Sequence, residues 1–215
     1  MIAELPSPRI HGYGRVSNPE DLVHRRSRHR AWLATTGAVL VAALACAVVA
    51  AAGDLLEPGV AFPAWQLPDQ SGAIVRSQDL AGKTYLLWFY PKAQTPGCTL
   101  EGQQLRDRFA EFQSRGVEVL GVSFDTPADN AAFVAAEHFP FRLLSDRDRS
   151  LAIATGAAST ASQPTARRIS YLVGPDARVL KAYGEVVPAA HAGQVLGDLA
   201  SPGSASGAAA PKPGP

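Results

Sequence analysis

Three features of the 215-residue chain predict an α/β fold, a mixed central sheet flanked by helices, with an N-terminal apolar helix ahead of it. Short apolar runs alternate with helix-length segments between residues 84 and 155. Two of those runs, residues 84–90 and 117–124, are apolar almost throughout, as strands covered on both faces are. A turn-linked strand pair and a closing helix then occupy residues 169–199.

The elements follow in chain order. Residues 62–67 and 73–75 read as short strands around the turn Pro68-Asp69-Gln70-Ser71-Gly72. The run Thr84-Tyr85-Leu86-Leu87-Trp88-Phe89-Tyr90 is a central strand, ended by Pro91. A helix is predicted over 96–115, with Leu105, Phe109 and Phe112 on one face and Gly116 as its stop. Residues 117–124 form the second buried strand. Thr126 caps a helix over 127–138. A short strand at 141–144 and a short helix at 148–155 come next. Strands 169–173 and 179–183 flank the turn Gly174-Pro175-Asp176-Ala177, and a helix over 189–199 closes the domain.

Outside this folded domain (54–200), the chain changes character. Residues 1–30 are rich in Pro, Arg and His without apolar periodicity, and read as a disordered basic arm. Residues 31–53 carry no charge, a length that suits a membrane-spanning helix of about 20 residues. Much of the run is Ala, so insertion is weakly driven. Arg25, Arg26, Arg28 and Arg30 precede it, while Asp54 and Glu57 follow, which places the N-terminus inside and the domain outside. Residues 31–53 are thus expected to be a signal anchor, giving a single-pass membrane protein with an extracytoplasmic domain. A signal peptide cleaved near 50–52, with export, is the alternative. A buried soluble helix fits worse, having no polar face. The tail, 201–215, is low in complexity and expected to be disordered.

Formal net charge is +1, made up of +3 in residues 1–53 and −2 in the remainder. No basic footprint for nucleic acid exists in that balance. Cys46 and Cys98 are the two cysteines, too few for a disulfide framework and without zinc-site spacing. Cys46 lies in the apolar run, which leaves Cys98 for redox chemistry in the domain. No cofactor or metal is expected. Asp125, Asp129, Asp146 and Asp148 fit no calcium loop and read as caps or solvated groups. His138 and His191 read as structural or solvated.

Chemistry concentrates in Pro91-Lys92-Ala93-Gln94-Thr95-Pro96-Gly97-Cys98-Thr99, between a buried strand and a helix start. Cys98 falls in the first helical turn, with Thr95 near the N-cap. Free N–H groups and the positive end of the helix dipole stabilise a thiolate there. Lowering a thiol from about 8.5 to about 6 takes roughly 3.4 kcal/mol at 1.36 per unit. A helix terminus contributes about 0.3–1 kcal/mol. A cation must supply the rest, and Arg168, just ahead of strand 169–173, is the candidate.

The segment from Phe89 to Thr99 resembles the peroxidatic motif of peroxiredoxins, nearest the bacterioferritin-comigratory-protein or peroxiredoxin Q type of the AhpC/TSA superfamily. The resemblance continues through Glu101, Arg106-Asp107, residues 119–123, 143–146 and 168–173, and His191, spanning about 60–200. It implies a thioredoxin-like fold and thiol-dependent reduction of hydrogen peroxide and organic hydroperoxides. Cys98 takes the role of nucleophile, becoming a sulfenic acid. Thr95 and Arg168 orient the peroxide and support the thiolate, Pro91 shields the sulfur and shapes the pocket, and backbone N–H groups near Gly97 and Cys98 bind the oxygens. One departure matters. Many members of this type carry a resolving cysteine five residues after the first, and here that position is Gln103. A one-cysteine cycle is therefore expected, recycled by a thioredoxin-like, glutaredoxin-like or small thiol. A dithiol oxidoreductase is disfavoured, since no Cys-x-x-Cys exists. A membrane-tethered redox sensor or binding protein, oxidised at Cys98 without efficient turnover, is the competing reading.

Overall fold

The computed structural model describes residues 54–200. The predicted basic arm, the apolar run at 31–53 and the tail lie outside the described residues. Among the described residues, no helix is long and apolar enough to cross a membrane.

A small antiparallel hairpin leads the domain, β1 (Gln66–Pro68) pairing with β2 (Ile74–Arg76). The first strand is shorter than predicted. Pro63 offers no N–H to a ladder, and Ala61 makes only an isolated bridge to Arg178. A 3-10 turn, Ser77–Leu80, follows; nothing in its sequence had marked it.

Five strands form the main sheet in the order β5-β4-β3-β6-β7. β3 (Thr84–Phe89) lies at its centre, parallel to β4 (Val117–Ser123) and antiparallel to β6 (Ile169–Val173). β5 (Arg142–Ser145) runs parallel to β4, and β7 (Val179–Tyr183) antiparallel to β6. The mixed sheet and the terminal hairpin expected from the sequence are both present.

Side chains of β3 alternate between two cores, as a pleated strand must. Leu86 and Trp88, with Tyr90 just beyond the strand, face the helices; Tyr85, Leu87 and Phe89 face the N-terminal hairpin. The helical core takes Leu105 from α1 (Pro96–Asp107), Phe112 from α2 (Phe109–Ser114), Phe133 from α3 (Pro127–Glu137) and Val195 from α5 (His191–Ala200). The opposite core takes Trp65, Val75 and Leu80, together with Leu151 of α4 (Ser150–Ala154).

The helix predicted over 96–115 is in fact two. Arg108 leaves helical geometry (φ −109°, ψ 12°) and its N–H turns to the Arg106 carbonyl. The break sets Phe109 against Phe141, with centroids 5.9 Å apart, while Leu105 and Phe112 both stay fully buried. Tertiary packing here overrides continuous helix propensity. Gly116 does end α2, at φ 68°. Thr126 caps α3 as expected: its hydroxyl accepts the Asp129 N–H, and Asp129 reciprocates to the Thr126 N–H.

Candidate active site

The loop between β3 and α1 is shaped from below. Asp125, buried just past β4, accepts the Ala93 N–H at 2.8 Å and the Ser123 hydroxyl at 2.9 Å. Lys92 reaches the other oxygen of the same carboxylate at 3.6 Å. Tyr90 donates to Asn130 at 2.7 Å, and Asn130 donates to Ser145, so β3, α3 and β5 are joined by one buried network. The backbone turns back at Gln94, a non-glycine residue at φ 60°. Pro91 lies at the mouth of this loop and lines a polar cleft of about 200 Å³ with Lys92, Asp125 and Arg147.

Thr95 is the N-cap residue of α1, and Pro96 opens the helix. The Thr95 side chain does not cap it. Its hydroxyl donates instead to the Lys92 carbonyl at 2.9 Å. The expected support of the sulfur by this hydroxyl is therefore not made through its proton. What Thr95 retains is acceptor capacity, because a hydroxyl has one hydrogen and two lone pairs. The first-turn N–H groups of Gly97 and Cys98 have no intrahelical carbonyl to serve.

Cys98 sits in this first turn, free and fully buried. Its surroundings are apolar on the core side, with Tyr90, Ala93 and Leu105 in the same cluster. A cation nevertheless touches it: Arg168 Nη2 donates to Sγ at 3.3 Å. Arg168 enters the site from the residue before β6. Its other terminal nitrogen, Nη1, donates to Glu101 Oε2. Burial disfavours the guanidinium charge, but the Glu101 charge and the Cys98 sulfur outweigh it and hold the Arg168 pKa above its ordinary value. Arg168, 70 residues on in the sequence, thus meets Cys98 in the segment that also carries Thr95 and Pro91; the cleft that Pro91 lines includes neither Cys98 nor Arg168.

Two further residues complete the site. Glu101 stands one turn after Cys98 on α1 and is fully buried. Burial pushes its carboxyl up to about 7 against the lowering charge of Arg168. His191, the first residue of α5, is also fully buried; its Nε2 lies 2.9 Å from Ser170 Oγ and 3.9 Å from Glu101 Oε1. Burial, then the Arg168 charge, pushes the imidazole down to about 4, so it is neutral at pH 7. The sequence reading gave Glu101 no role, although its i, i+3 spacing from Cys98 sets it on the same helix face. Asp125 was read as a cap or solvated group; the run of buried residues before it was the available signal.

Gln103, where a second cysteine was sought, donates to Glu137 Oε2 at 2.8 Å. Among the described residues no group of three or more His, Cys, Asp or Glu converges to hold a metal ion. A buried sulfur, one guanidinium and unpaired first-turn N–H groups can together bind a small polarised oxygen compound and stabilise negative charge leaving it.

Residues 58–182 match the AhpC/TSA family. Peroxiredoxin Bcp of Escherichia coli is 36% identical over 146 residues, which cover 66% of this chain and 94% of that protein. The crystal structure of peroxidoxin BcpB from Mycobacterium tuberculosis superposes with a TM-score of 0.63 at 30% identity, covering 67% of this chain and 96% of that one. The bacterioferritin comigratory protein of Xanthomonas campestris, studied for alkyl peroxide reduction, superposes at 0.59 with 31% identity, covering 68% and 96%.

Proposed function

The chain belongs to the AhpC/TSA family and is a peroxiredoxin, a thiol peroxidase of thioredoxin-like fold; on that footing we propose that Cys98 is its nucleophile, working in a one-cysteine cycle. The observation that carries this reading is the Arg168 contact to Cys98 Sγ at 3.3 Å, at the first turn of α1. The Cys98 thiolate attacks the nearer oxygen of a hydroperoxide. An S–O bond forms, the O–O bond breaks, and the departing oxygen takes up one proton and leaves as water or an alcohol, with the sulfur as a sulfenic acid. Arg168 and the first-turn N–H groups face the oxygen on which charge develops. Thr95 accepts the peroxide O–H, and Pro91 shapes the mouth.

Substrates are hydrogen peroxide and organic hydroperoxides, a range supported by the alkyl peroxide reduction studied in the X. campestris relative. Gln103, tied to Glu137, leaves no second sulfur next to Cys98 on α1. The sulfenic acid is then reduced by an external thiol, whether thioredoxin-like, glutaredoxin-like or small. Residues 31–53 tether the enzyme to a membrane with the domain on the extracytoplasmic side, a placement supported by the four arginines from 25 to 30.

Rapid peroxide consumption by the full chain with an artificial thiol tests the reading. Cys98→Ser is expected to abolish it. Retained activity in that variant would remove Cys98 from the role.

A further inference from the structure

Behind the sulfur lies a closed electrostatic arrangement. One guanidinium, Arg168, touches two acids at once: Nη2 donates to Cys98 Sγ at 3.3 Å and Nη1 to Glu101 Oε2. Both acids are fully buried. Among the described residues, no other cation is bonded to either acid. His191 from α5 is neutral at pH 7. Its ring lies 5.3 Å from that of Tyr183 on β7, whose hydroxyl donates to Asp198. On the α3 side, Glu137 is engaged with Gln103 and Arg106. Glu101 Oε1, fully buried, has no hydrogen-bond partner. A carboxylate oxygen in that position is costly, because buried acceptors are normally satisfied.

Resting on the peroxidase reading above, we propose that Glu101 stores the proton that Cys98 sheds. A buried site with a single positive charge balances one anion and not two. When the sulfur is a thiolate, the carboxyl carries a proton; when the sulfur is neutral, the carboxylate pairs with Arg168. Activation is then an internal transfer, Cys–SH plus Glu–COO⁻ giving Cys–S⁻ plus Glu–COOH. Peroxide attack reverses the charge: Cys–S⁻, Glu–COOH and ROOH give Cys–SOH, Glu–COO⁻ and ROH. The S–O bond takes its electron pair from sulfur, the O–O bond breaks, and the stored proton neutralises the departing RO⁻. The carboxyl value near 7 suits such a store at neutral pH. Glu101 is bonded to Arg168 and, besides supplying that proton, sets the charge available to the sulfur.

Proton counting tests this directly. The full chain, reduced, is oxidised once by stoichiometric hydrogen peroxide in weak buffer containing a pH indicator. Thiolate is read at 240 nm, and sulfenic acid is counted by dimedone trapping. At pH 8, above the value of about 7 that the carboxyl has beside a neutral sulfur, the wild-type protein is expected to show thiolate absorbance yet take up about zero protons per sulfenic acid; at about pH 9.5, with the store empty, uptake rises to about one. Glu101→Gln is expected to take up about one wherever its sulfur absorbs as thiolate. Uptake of one proton by the wild type at pH 8, no thiolate absorbance there, or a Glu101→Gln variant that matches the wild type would each overturn the proposal. Should that variant fail to fold, the wild-type contrast between the two pH values decides alone. Failure to form any sulfenic acid at Cys98 is a different result: it would sink the peroxidase reading and this store with it.

Discussion

The Asp125 carboxylate accepts the backbone N–H of Ala93 at 2.8 Å, which fastens the loop before α1 to the end of β4. The loop carrying Pro91 and Thr95 thus takes its position from a residue 32 places away. Asp125→Ala leaves a buried N–H unpaired, a loss of about 1–3 kcal/mol. The misplaced loop is expected to slow the second-order reaction with peroxide by about 10–100-fold. Denaturant melts and stopped-flow traces check the two effects. Asp125→Asn keeps an acceptor and recovers part of each. A destabilised Asp125→Ala variant with an unchanged rate would show that the bond serves stability alone.

Gly97 separates activity from stability. A Cβ placed there would meet Arg168 Nη2 at 3.1 Å. Alanine in place of glycine ordinarily favours a helix by about 1 kcal/mol. Gly97→Ala is therefore expected to keep or raise Tm while pushing the guanidinium off the sulfur. A peroxide rate about tenfold lower or worse is expected, since positioning errors are costly in catalysis. Equal rates for variant and wild type would mean that Arg168 yields without consequence.

At Gly102 the opposite balance holds. Its Cβ would stand 2.3 Å from the Phe139 ring, which is held between Phe133 at 4.9 Å and Phe141 at 5.0 Å. Overpacking of this kind costs about 1–3 kcal/mol, more than the helix gain of about 1 kcal/mol. Gly102→Ala is expected to lower the urea midpoint, whereas a raised midpoint would show that the ring moves freely.

The contribution of Asp146 to stability should fall as pH rises from about 4 to 6, against the opposite slope of His191, whose buried imidazole is held down to about 4. Burial pushes Asp146 up to about 6, although the Ala152 and Leu151 N–H groups bond to it and pull the other way. An unfolded Asp ionises near 3.9. Between those values the native state holds a proton that the unfolded chain has released, so stability drops with rising pH. Glu101, raised to about 7, extends the same slope upward. Asp146→Asn should flatten the lower part of the curve. Denaturant midpoints at pH 4 and pH 6 measure it; an undiminished difference in the variant would contradict the assignment.

Strands were legible where an apolar run is bounded by a turn. β6 and β7 begin and end where the apolar runs and the intervening turn put them. Pattern reading failed where long-range packing decides: the break at Arg108 answers to Phe141, more than thirty residues on. The same holds for the site. Cys98, Thr95 and Pro91 were visible because one local motif contains them, and Arg168 because the sulfur required a cation. The motif does not announce that the Lys92 carbonyl, three residues earlier, takes the Thr95 hydroxyl proton. Glu101 and His191 meet only through the docking of α5 on α1, which no local spacing announces. For Asp125 the sequence marks only the buried run before it, not the backbone N–H that it serves.

Full burial of the Cys98 sulfur makes the two halves of the cycle unequal. A peroxide is narrow at its reacting end, whereas a protein thiol, with a backbone behind it, does not reach a fully buried sulfur without rearranging the first turn of α1. In the one-cysteine cycle proposed above, electrons therefore arrive more slowly than oxidant. In an oxidant burst most molecules will be waiting in the oxidised form, and the identity of the donor, more than that of the peroxide, will govern throughput.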